Sequence, residues 1–468
     1  MRDFLGSMMI TVRAPDGGDP GVDDLIQAAA DGARGRSRLA AEPEPLTAAD
    51  ILLLTGTVRY NLADHERSLA DFEDALALLE PRHEVATGEL ARVHWELGRH
   101  AKRQGRPDEM LAHVRRAVEL NERWNAPSNE RLRARISLGE ALLHVDRDEA
   151  EAVFRALVEE IRASELKDTV RHINALNGLS IAMSGPGKDP RARLPIQEER
   201  LRIARLIYHD DGGGLTHTLS DVTHTFRQLG MLERAEALAR ESVAVADRTR
   251  QNPVMFQGMS RCTLGLVLLQ QGRQAEALEV LGRSDELLQQ GGENHISRER
   301  CSTSLAYAAA AAGHYPRALE ALAISQQLLA LNKRQRHPDA VAACGLAATV
   351  AVRRGAYREA SATLQGCAPD DPAKAPLPWQ LAQAELLLVQ SDAAAAGPLL
   401  ADLRGQHAPA ANQREWMRPW MLSAWQARLS GDAAGDGSLR QALGGFATIE
   451  PLAGCLAAPA AETCLALP

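Results

Sequence analysis

Aromatic residues, lysine and long apolar runs are all scarce in this chain of 468 residues. Phe, Trp and Tyr together make up 4% of it, and lysine occurs five times against 48 arginines. No stretch approaches the roughly 20 consecutive apolar residues of a membrane-spanning helix, and residues 1–12 are too short and too weakly basic for a signal peptide. Sustained alternation of Val, Ile, Thr and Tyr, which would indicate strands, is missing. We therefore expect an all-α protein of the cytosol without a membrane partner.

Catalytic and metal-binding signatures are absent from the sequence as well. It contains no glycine-rich phosphate loop, no HRD or DFG motif, no HExxH and no G-x-S-x-G. Six cysteines lie in its second half without a CxxC pair: Cys262, Cys301, Cys344, Cys367, Cys455 and Cys464. This spacing matches neither a zinc site nor a short disulfide framework, so we predict buried free thiols. The sequence favours a non-enzymatic protein without a metal or cofactor.

Negative charge is concentrated at the start of the chain. Residues 1–100 hold 10 basic and 18 acidic residues, whereas the remainder holds 43 of each, and the net charge is −8. No basic excess is available to bind a phosphate backbone. We therefore do not expect a nucleic acid as the main partner.

A two-helix pattern recurs about every 41 residues. The clearest copy consists of Leu264, Gly265, Leu268, a turn at Gln271-Gly272-Arg273, Ala277, Leu281 and Ser284. The next copy repeats these positions at Leu305, Ala306, Ala309, Gly313-His314-Tyr315, Ala318, Leu322 and Ser325. The small residue at the position of Gly265 lets the two helices approach closely. Because one helical hairpin cannot bury its own apolar face, the copies are expected to stack into a solenoid.

These spacings resemble those of the tetratricopeptide family. The family's pattern is followed at Leu264, Gly265, Leu268, Ala277 and Leu281. The resemblance covers roughly residues 46–430, and the copies are longer than the usual 34 residues, as in kinesin light chains and the repeat regions of bacterial serine/threonine kinases. It implies an all-α solenoid of about nine to ten helix-turn-helix (TPR-like) repeats in a right-handed superhelix. HEAT and armadillo repeats have a compatible period, but the small-residue pairs and glycine turns favour the tetratricopeptide pattern.

Composition divides the chain into three regions. Residues 1–45 are rich in Gly, Pro, Asp and Arg, which predicts a flexible leader with a short helix around Val22–Ala33. Residues 46–430 form the solenoid, with an irregular fourth unit near residues 170–214 that is interrupted at 184–195 and 210–214. Residues 431–468 are a weakly structured tail or a terminal cap, and the preceding Trp416, Trp420 and Trp425 are predicted to pack as part of that cap.

The resemblance also implies a set of groove residues, because in tetratricopeptide proteins the first helix of each repeat lines the concave face. Five positions around the small residue give these candidates for a partner groove: Arg92, Trp95, Arg99, Lys102, Arg103, Arg133, His172, His217, His224, Arg227 and Arg300. Such a lining would favour acidic or phosphorylated peptides, because arginine binds carboxylate and phosphate in a bidentate manner. The alternative is a solvated face whose arginines pair with neighbouring glutamates.

The sequence thus predicts a scaffold or adaptor that binds a protein or peptide on its concave face, within bacterial signalling or regulation. The alternative is a sensor module of a kinase or transcription-regulator system that a peptide ligand switches.

Overall fold

The computed structural model describes residues 21–35, 44–62, 64–184, 188–208, 212–248, 254–291, 296–331, 337–406, 414–465 and 467. Throughout these residues the regular elements are helices, so the all-α prediction is confirmed. The chain forms two compact units, Met1–Ile203 and Ala204–Pro468. Parts of the predicted leader (residues 1–20 and 36–43) and of the two predicted interruptions (185–187 and 210–211) lie outside the described residues.

The first unit consists of a single helix followed by helical hairpins. Its helices are α1 (Val22–Ala33), α2 (Pro45–Asn61), α3 (His65–Leu79), α4 (Thr87–Arg103), α5 (Pro107–Arg123), α6 (Ser128–Leu142), α7 (Arg147–Arg162), α8 (Val170–Ala182) and α9 (Leu194–Tyr208), whose residues from Ala204 belong to the second unit. From α1 to α8 each helix packs on the next, and first helices of adjacent repeats also touch, as α6 and α8 do.

The second unit continues the hairpin pattern and ends in short helices. Its helices are α10 (Gly212–Gln228), α11 (Leu232–Arg248), α12 (Val254–Gln270), α13 (Gln274–Gln290), α14 (Ile296–Ala311), α15 (Tyr315–Leu331), α16 (Pro338–Arg353), α17 (Tyr357–Gly366), α18 (Leu377–Val389), α19 (Ala393–Gln406), α20 (Arg418–Ser430), α21 (Ala433–Leu443), α22 (Leu452–Ala457) and α23 (Ala461–Cys464). The first helices α10, α12, α14, α16, α18 and α20 contact one another in succession.

The small residue of the clearest repeat lies where its two helices approach closely. A Cβ atom added to Gly265 on α12 would lie 2.4 Å from Cγ of Leu281 on α13, which is fully buried. The turn between these helices needs a second glycine, because Gly272 has a φ of +77° that L-residues rarely adopt. The close helix contact therefore explains the small residue at position 265, and the backbone conformation of the turn explains the glycine at position 272.

Helices near both ends of the described chain pack into hydrophobic clusters. The alanines of α1, Ala29, Ala30 and Ala33, are buried against the first hairpin, so this part of the predicted leader belongs to the core. At the other end, α21 to α23 pack on α20 in one hydrophobic cluster. Trp420 and Trp425 are buried there, and Trp416 is half-buried.

The predicted free thiols are wrong, because the six cysteines form three disulfides. The pairs are Cys262–Cys301, Cys344–Cys367 and Cys455–Cys464, with Cα–Cα distances of 5.6, 6.6 and 4.7 Å. The first pair joins two successive first helices: its members lie 39 residues apart on α12 and α14, two residues fewer than the 41 that separate Gly265 from Ala306. The cysteines of this pair are too far apart in the sequence to form a short disulfide framework.

Candidate functional site

Six of the predicted groove residues lie together in the first unit, around two neighbouring hollows. We call one of them the basic hollow; it has a volume of about 780 Å³ and is lined by Tyr60, Trp95, Gly98, Arg99, Lys102, Arg103, Met110, Val114, Arg133, Ile136, Ser137, Glu140, Arg171 and Asn174. Most of these residues come from the first helices α4, α6 and α8. Five basic side chains face one acidic side chain, Glu140, so the hollow is suited to an anionic ligand.

The second hollow has no such excess of positive charge. We call it the mixed hollow; it has a volume of about 740 Å³, and its charged lining residues are Asp50, Glu89, Arg92, Glu96, Arg99, Glu130 and Arg133. Burial and the neighbouring Glu89 raise the pKa of the Asp50 carboxyl. Trp95, Arg99 and Arg133 line both hollows. Of the predicted residues, Arg92 belongs to the mixed hollow and Lys102 and Arg103 belong to the basic one.

An aromatic and guanidinium stack forms the wall between the hollows. The guanidinium carbon of Arg99 lies 3.9 Å from the ring centre of Tyr60, and that of Arg133 lies 4.2 Å from the ring centre of Trp95. The indole Nε1 of Trp95 donates a hydrogen bond to Ser137 Oγ at 2.9 Å. Cation–π contacts of this kind help to hold the two arginines in place.

Three of the predicted basic residues are already paired with glutamates. Lys102 Nζ lies 2.7 Å from Glu140, an exposed pair. Arg99 is bonded to Glu96 at 2.8 Å, and the side chain of Glu96 is only 3% exposed. Arg133 is bonded to Glu130 at 2.7 Å. These three residues therefore agree with the alternative interpretation of the sequence, in which the basic side chains of this face pair with neighbouring glutamates.

Two other arginines of the basic hollow have no acidic partner in the described part of the chain. Arg103 is exposed at the end of α4, and Arg171 on α8 donates to Asn129 Oδ1 at 2.9 Å. Arg133 is near Arg171 and Arg92. Burial lowers the pKa of its guanidinium, and these two arginines lower it further against the opposing effects of Glu130 and Glu96. The positive potential at this point is therefore only partly neutralised.

His172 does not line a groove, which corrects the prediction for α8. Its side chain is fully buried, with Nε2 3.6 Å from Glu199 Oε1, and burial lowers its pKa. The residues of α8 that reach the basic hollow are Arg171 and Asn174, each one position away from the predicted register. One residue rotates a helix by about 100°, which moves a side chain from one face to another.

The remaining candidates belong to the second unit and do not form one cluster of free cations. His217 is exposed on α10 and pairs with Asp221 at 3.0 Å. His224 Nδ1 lies 3.3 Å from Arg227, whose other nitrogen donates to Gln270 Oε1 at 3.2 Å. Arg227 lines a separate cavity, and Arg300 is an exposed residue of α14.

Neither a metal centre nor a membrane span is found where the structure is described. No group of three or more His, Cys, Asp or Glu side chains there could hold a metal ion. No helix in those same residues is long and apolar enough to cross a membrane.

Known proteins match this chain by structure. Neither a family model nor a curated protein matches the sequence. The apo form of the quorum sensor NprR from B. thuringiensis is 14% identical, with a TM-score of 0.50 over 78% of this chain and 97% of that chain. A signal transduction ATPase with a tetratricopeptide repeat sensor from Pyrococcus horikoshii is 13% identical, with a TM-score of 0.48 over 78% and 62%. A putative kinesin light chain with TPR-like repeats from Podospora anserina is 18% identical, with a TM-score of 0.36 over 44% and 97%. Identities this low concern the fold alone.

Proposed function

We propose that this chain, an all-α solenoid of helical repeats of the tetratricopeptide type, is an adaptor that binds an acidic protein segment in the basic hollow. The observation that carries the proposal is the charge of that hollow, where Arg99, Lys102, Arg103, Arg133 and Arg171 surround a single glutamate. A carboxylate or phosphate entering the hollow gains charge-assisted hydrogen bonds that solvent does not fully replace.

Arg103 and Arg171 are the residues that bind the ligand's anionic groups. Neither has a carboxylate partner in the described residues, so each retains guanidinium N–H groups for a ligand. Arg99 and Arg133 have a different role, because Glu96 and Glu130 already occupy them and the rings of Tyr60 and Trp95 hold them. They supply positive potential and shape rather than new hydrogen bonds.

An extended peptide fits this site better than a compact ligand. The two hollows adjoin at Trp95, and together they follow the first helices α4, α6 and α8. Asn174, exposed in the basic hollow, carries an amide that can both donate to and accept from a peptide main chain.

The test compares two charge-reversal variants in a fluorescence anisotropy titration of the full chain. The probe is a fluorescein-labelled peptide that alternates glutamate with apolar residues, and its reference has glutamine in place of glutamate. Arg103→Glu/Arg171→Glu alters the basic hollow, whereas Arg115→Glu/Arg155→Glu makes the same charge change at exposed positions of α5 and α7. We avoid Arg99→Glu, because it would leave the buried Glu96 beside a second carboxylate.

The proposal predicts that the acidic peptide binds more tightly than its glutamine analogue and that added salt weakens the binding of the acidic peptide. The hollow variant should lose at least about tenfold in affinity, since charged hydrogen bonds contribute about 1.5–3 kcal/mol each. The control variant should bind like the parent. Equal losses in both variants, or tighter binding of an RNA oligonucleotide than of the acidic peptide, would contradict it.

The second candidate function is a sensor module of a bacterial kinase or transcription-regulator system. It is favoured by a ligand-sized cavity in the second unit, separate from the basic hollow. A sensor requires that occupation of one site changes the affinity of another, and this coupling is reciprocal. Peptide titrations with and without a ligand in that cavity distinguish the two functions. In a sensor the affinity for the peptide changes when the cavity is occupied, whereas in a simple adaptor it does not.

The compartment in which the protein works bears on both candidates. We predicted the cytosol from the sequence, but three disulfides weigh against a reducing compartment, where thiols are kept free. Arginine in place of lysine is typical of a GC-rich genome and agrees with a bacterial source. Intact mass of protein purified from its own cells, with free thiols alkylated at lysis, decides the compartment's redox state.

A further inference from the structure

The second unit contains an apolar cavity with positive charge at its boundary. Its volume is about 240 Å³, and its walls include Leu266, Leu346 and Leu381. A cavity of roughly 150 Å³ is already large enough to bind benzene. No aspartate or glutamate lines this cavity in the described chain, whereas Arg227 and Arg418 both do.

Arg418 belongs to a buried cluster of two arginines and one glutamate, whose net charge is positive. Arg418 and Arg353 both bond to Oε1 of Glu385, and all three side chains are at most 9% exposed. Glu385 Oε2 accepts no hydrogen bond. Two guanidinium groups therefore share one carboxylate in a largely desolvated position, an arrangement that is unfavourable unless another anion approaches. Burial lowers the pKa of Arg353, as expected where positive charge is not fully compensated.

Arg418 is placed to contact such an anion from the cavity. Its hydrogen bond to Glu385 uses one terminal nitrogen and is the one protein hydrogen bond that it makes in the described residues. Its remaining N–H groups are therefore available, and the side chain lines the cavity. A carboxylate at this position would balance the charge of the cluster without displacing Glu385.

Thr349 provides a second, independent polar group. Its side chain lines the same cavity and is 1% exposed, yet Oγ1 has no hydrogen-bond partner. Buried hydroxyl groups without partners are rare in proteins, because each loses its hydrogen bonds to water on burial. A ligand that offers an acceptor at this position removes that loss.

We propose that this cavity binds a small organic monocarboxylate with an apolar body. The carboxylate accepts hydrogen bonds from Arg418 and Thr349, and the apolar body packs against the leucines. This site is independent of the proposed peptide function, because its residues all belong to the second unit. The same chemistry is found in short fatty acids and in aromatic acids, and the experiment tests both.

Isothermal titration calorimetry of the full chain tests the proposal with two matched pairs of probes: octanoate with octanol, and phenylacetate with phenylethanol. We expect at least one carboxylate to bind roughly tenfold or more tightly than its alcohol, because the alcohol cannot compensate the charge of Arg418. The stronger of the two carboxylates identifies the body, chain or ring, that the cavity accepts.

Three variants locate the binding. Ala342→Phe fills the cavity from a half-buried lining position of α16 and should abolish carboxylate binding. Ala362→Phe, at an exposed position of α17, should bind like the parent. Thr349→Val keeps the volume and removes an unpartnered hydroxyl, so it should fold normally and bind the carboxylate roughly threefold to tenfold more weakly.

Three results would overturn the proposal. One is equal affinity for a carboxylate and its alcohol, which removes the role of Arg418. Another is unchanged binding in a folded Ala342→Phe variant, as judged by circular dichroism, which places the ligand elsewhere. The third is the absence of any binding heat from both carboxylates at millimolar concentration. This result overturns the proposal even if the acidic peptide binds.

Discussion

Phe154, on α7, lies between two glycines of adjacent first helices, and the packing there makes a quantitative prediction. The ring is fully buried. A Cβ added to Gly178 would lie 2.2 Å from it, and one added to Gly139 would lie 2.6 Å from it. Replacing a helical glycine by alanine normally stabilises by about 0.5–1 kcal/mol. Here the ring would have to move, and overpacking a core costs about 1–3 kcal/mol. Gly178→Ala should therefore lower stability by about 1–2 kcal/mol.

The sign of this effect should depend on residue 154. In a Phe154→Leu background the smaller side chain leaves room for the new methyl group, so Gly178→Ala should become neutral or stabilising by up to about 1 kcal/mol. Hydrogen exchange followed by mass spectrometry of peptides from α7 and α8 reports the local free energy of opening. Gly437→Ala is the control: this helical glycine of α21 has no heavy atom within 4 Å of the added Cβ, so it should stabilise its own helix.

A stabilising Gly178→Ala in the parent would refute the reasoning, because it would mean that the ring is not held between the two helices. Equal destabilisation in both backgrounds would also refute it, since the cause would then lie outside the contact with Phe154.

Three further predictions concern stability. Burial lowers the pKa of His94 and of His100 to about 4 from 6.5, so on acidification the unfolded chain takes up protons that the folded chain does not. Each of these histidines should therefore lower the free energy of unfolding by about 2 kcal/mol near pH 5. Urea unfolding at about pH 7 and pH 5 measures this loss. Replacing the disulfide between α12 and α14 by two serines should lower the unfolding free energy by up to about 4 kcal/mol, because it closes a loop of 39 residues; full thiol labelling of the native parent would contradict this. Leu281→Asp places an unpaired carboxylate at a fully buried position and should cost more than about 4 kcal/mol in thermal or chemical unfolding, whereas Leu331→Asp, at a position 53% exposed, should change stability by less than about 0.5 kcal/mol.

Local features of the fold could be predicted because each depends on neighbouring residues. The helix expected around Val22–Ala33 has those bounds in the structure. The small residue at Gly265 is needed for the contact with Leu281, as its position in the repeat indicated. The sequence expectation for residues 210–214 was less accurate, because Gly212 is the first residue of α10. Glycine disfavours a helix interior but is tolerated in its first turn.

The site was harder to predict because it depends on contacts between repeats. Arg92 and Trp95, which the common register selects, line a hollow, yet the same register on α8 selects His172, which is buried. The pairing of Arg99 with Glu96 follows from their spacing of three on one helix, whereas the pair of Lys102 with Glu140 joins two repeats. Contacts of the second kind require the rotation of each helix, which one sequence does not specify.

The most direct test of the account is affinity capture from the source cells with three baits: the parent chain, Arg103→Glu/Arg171→Glu and Arg115→Glu/Arg155→Glu. Mass spectrometry identifies the captured proteins, and circular dichroism verifies that all three baits are folded. The account predicts a partner with an acidic segment that the parent and the α5/α7 control retain and that the hollow variant loses. Equal capture of the same partner by all three baits would contradict binding in the basic hollow.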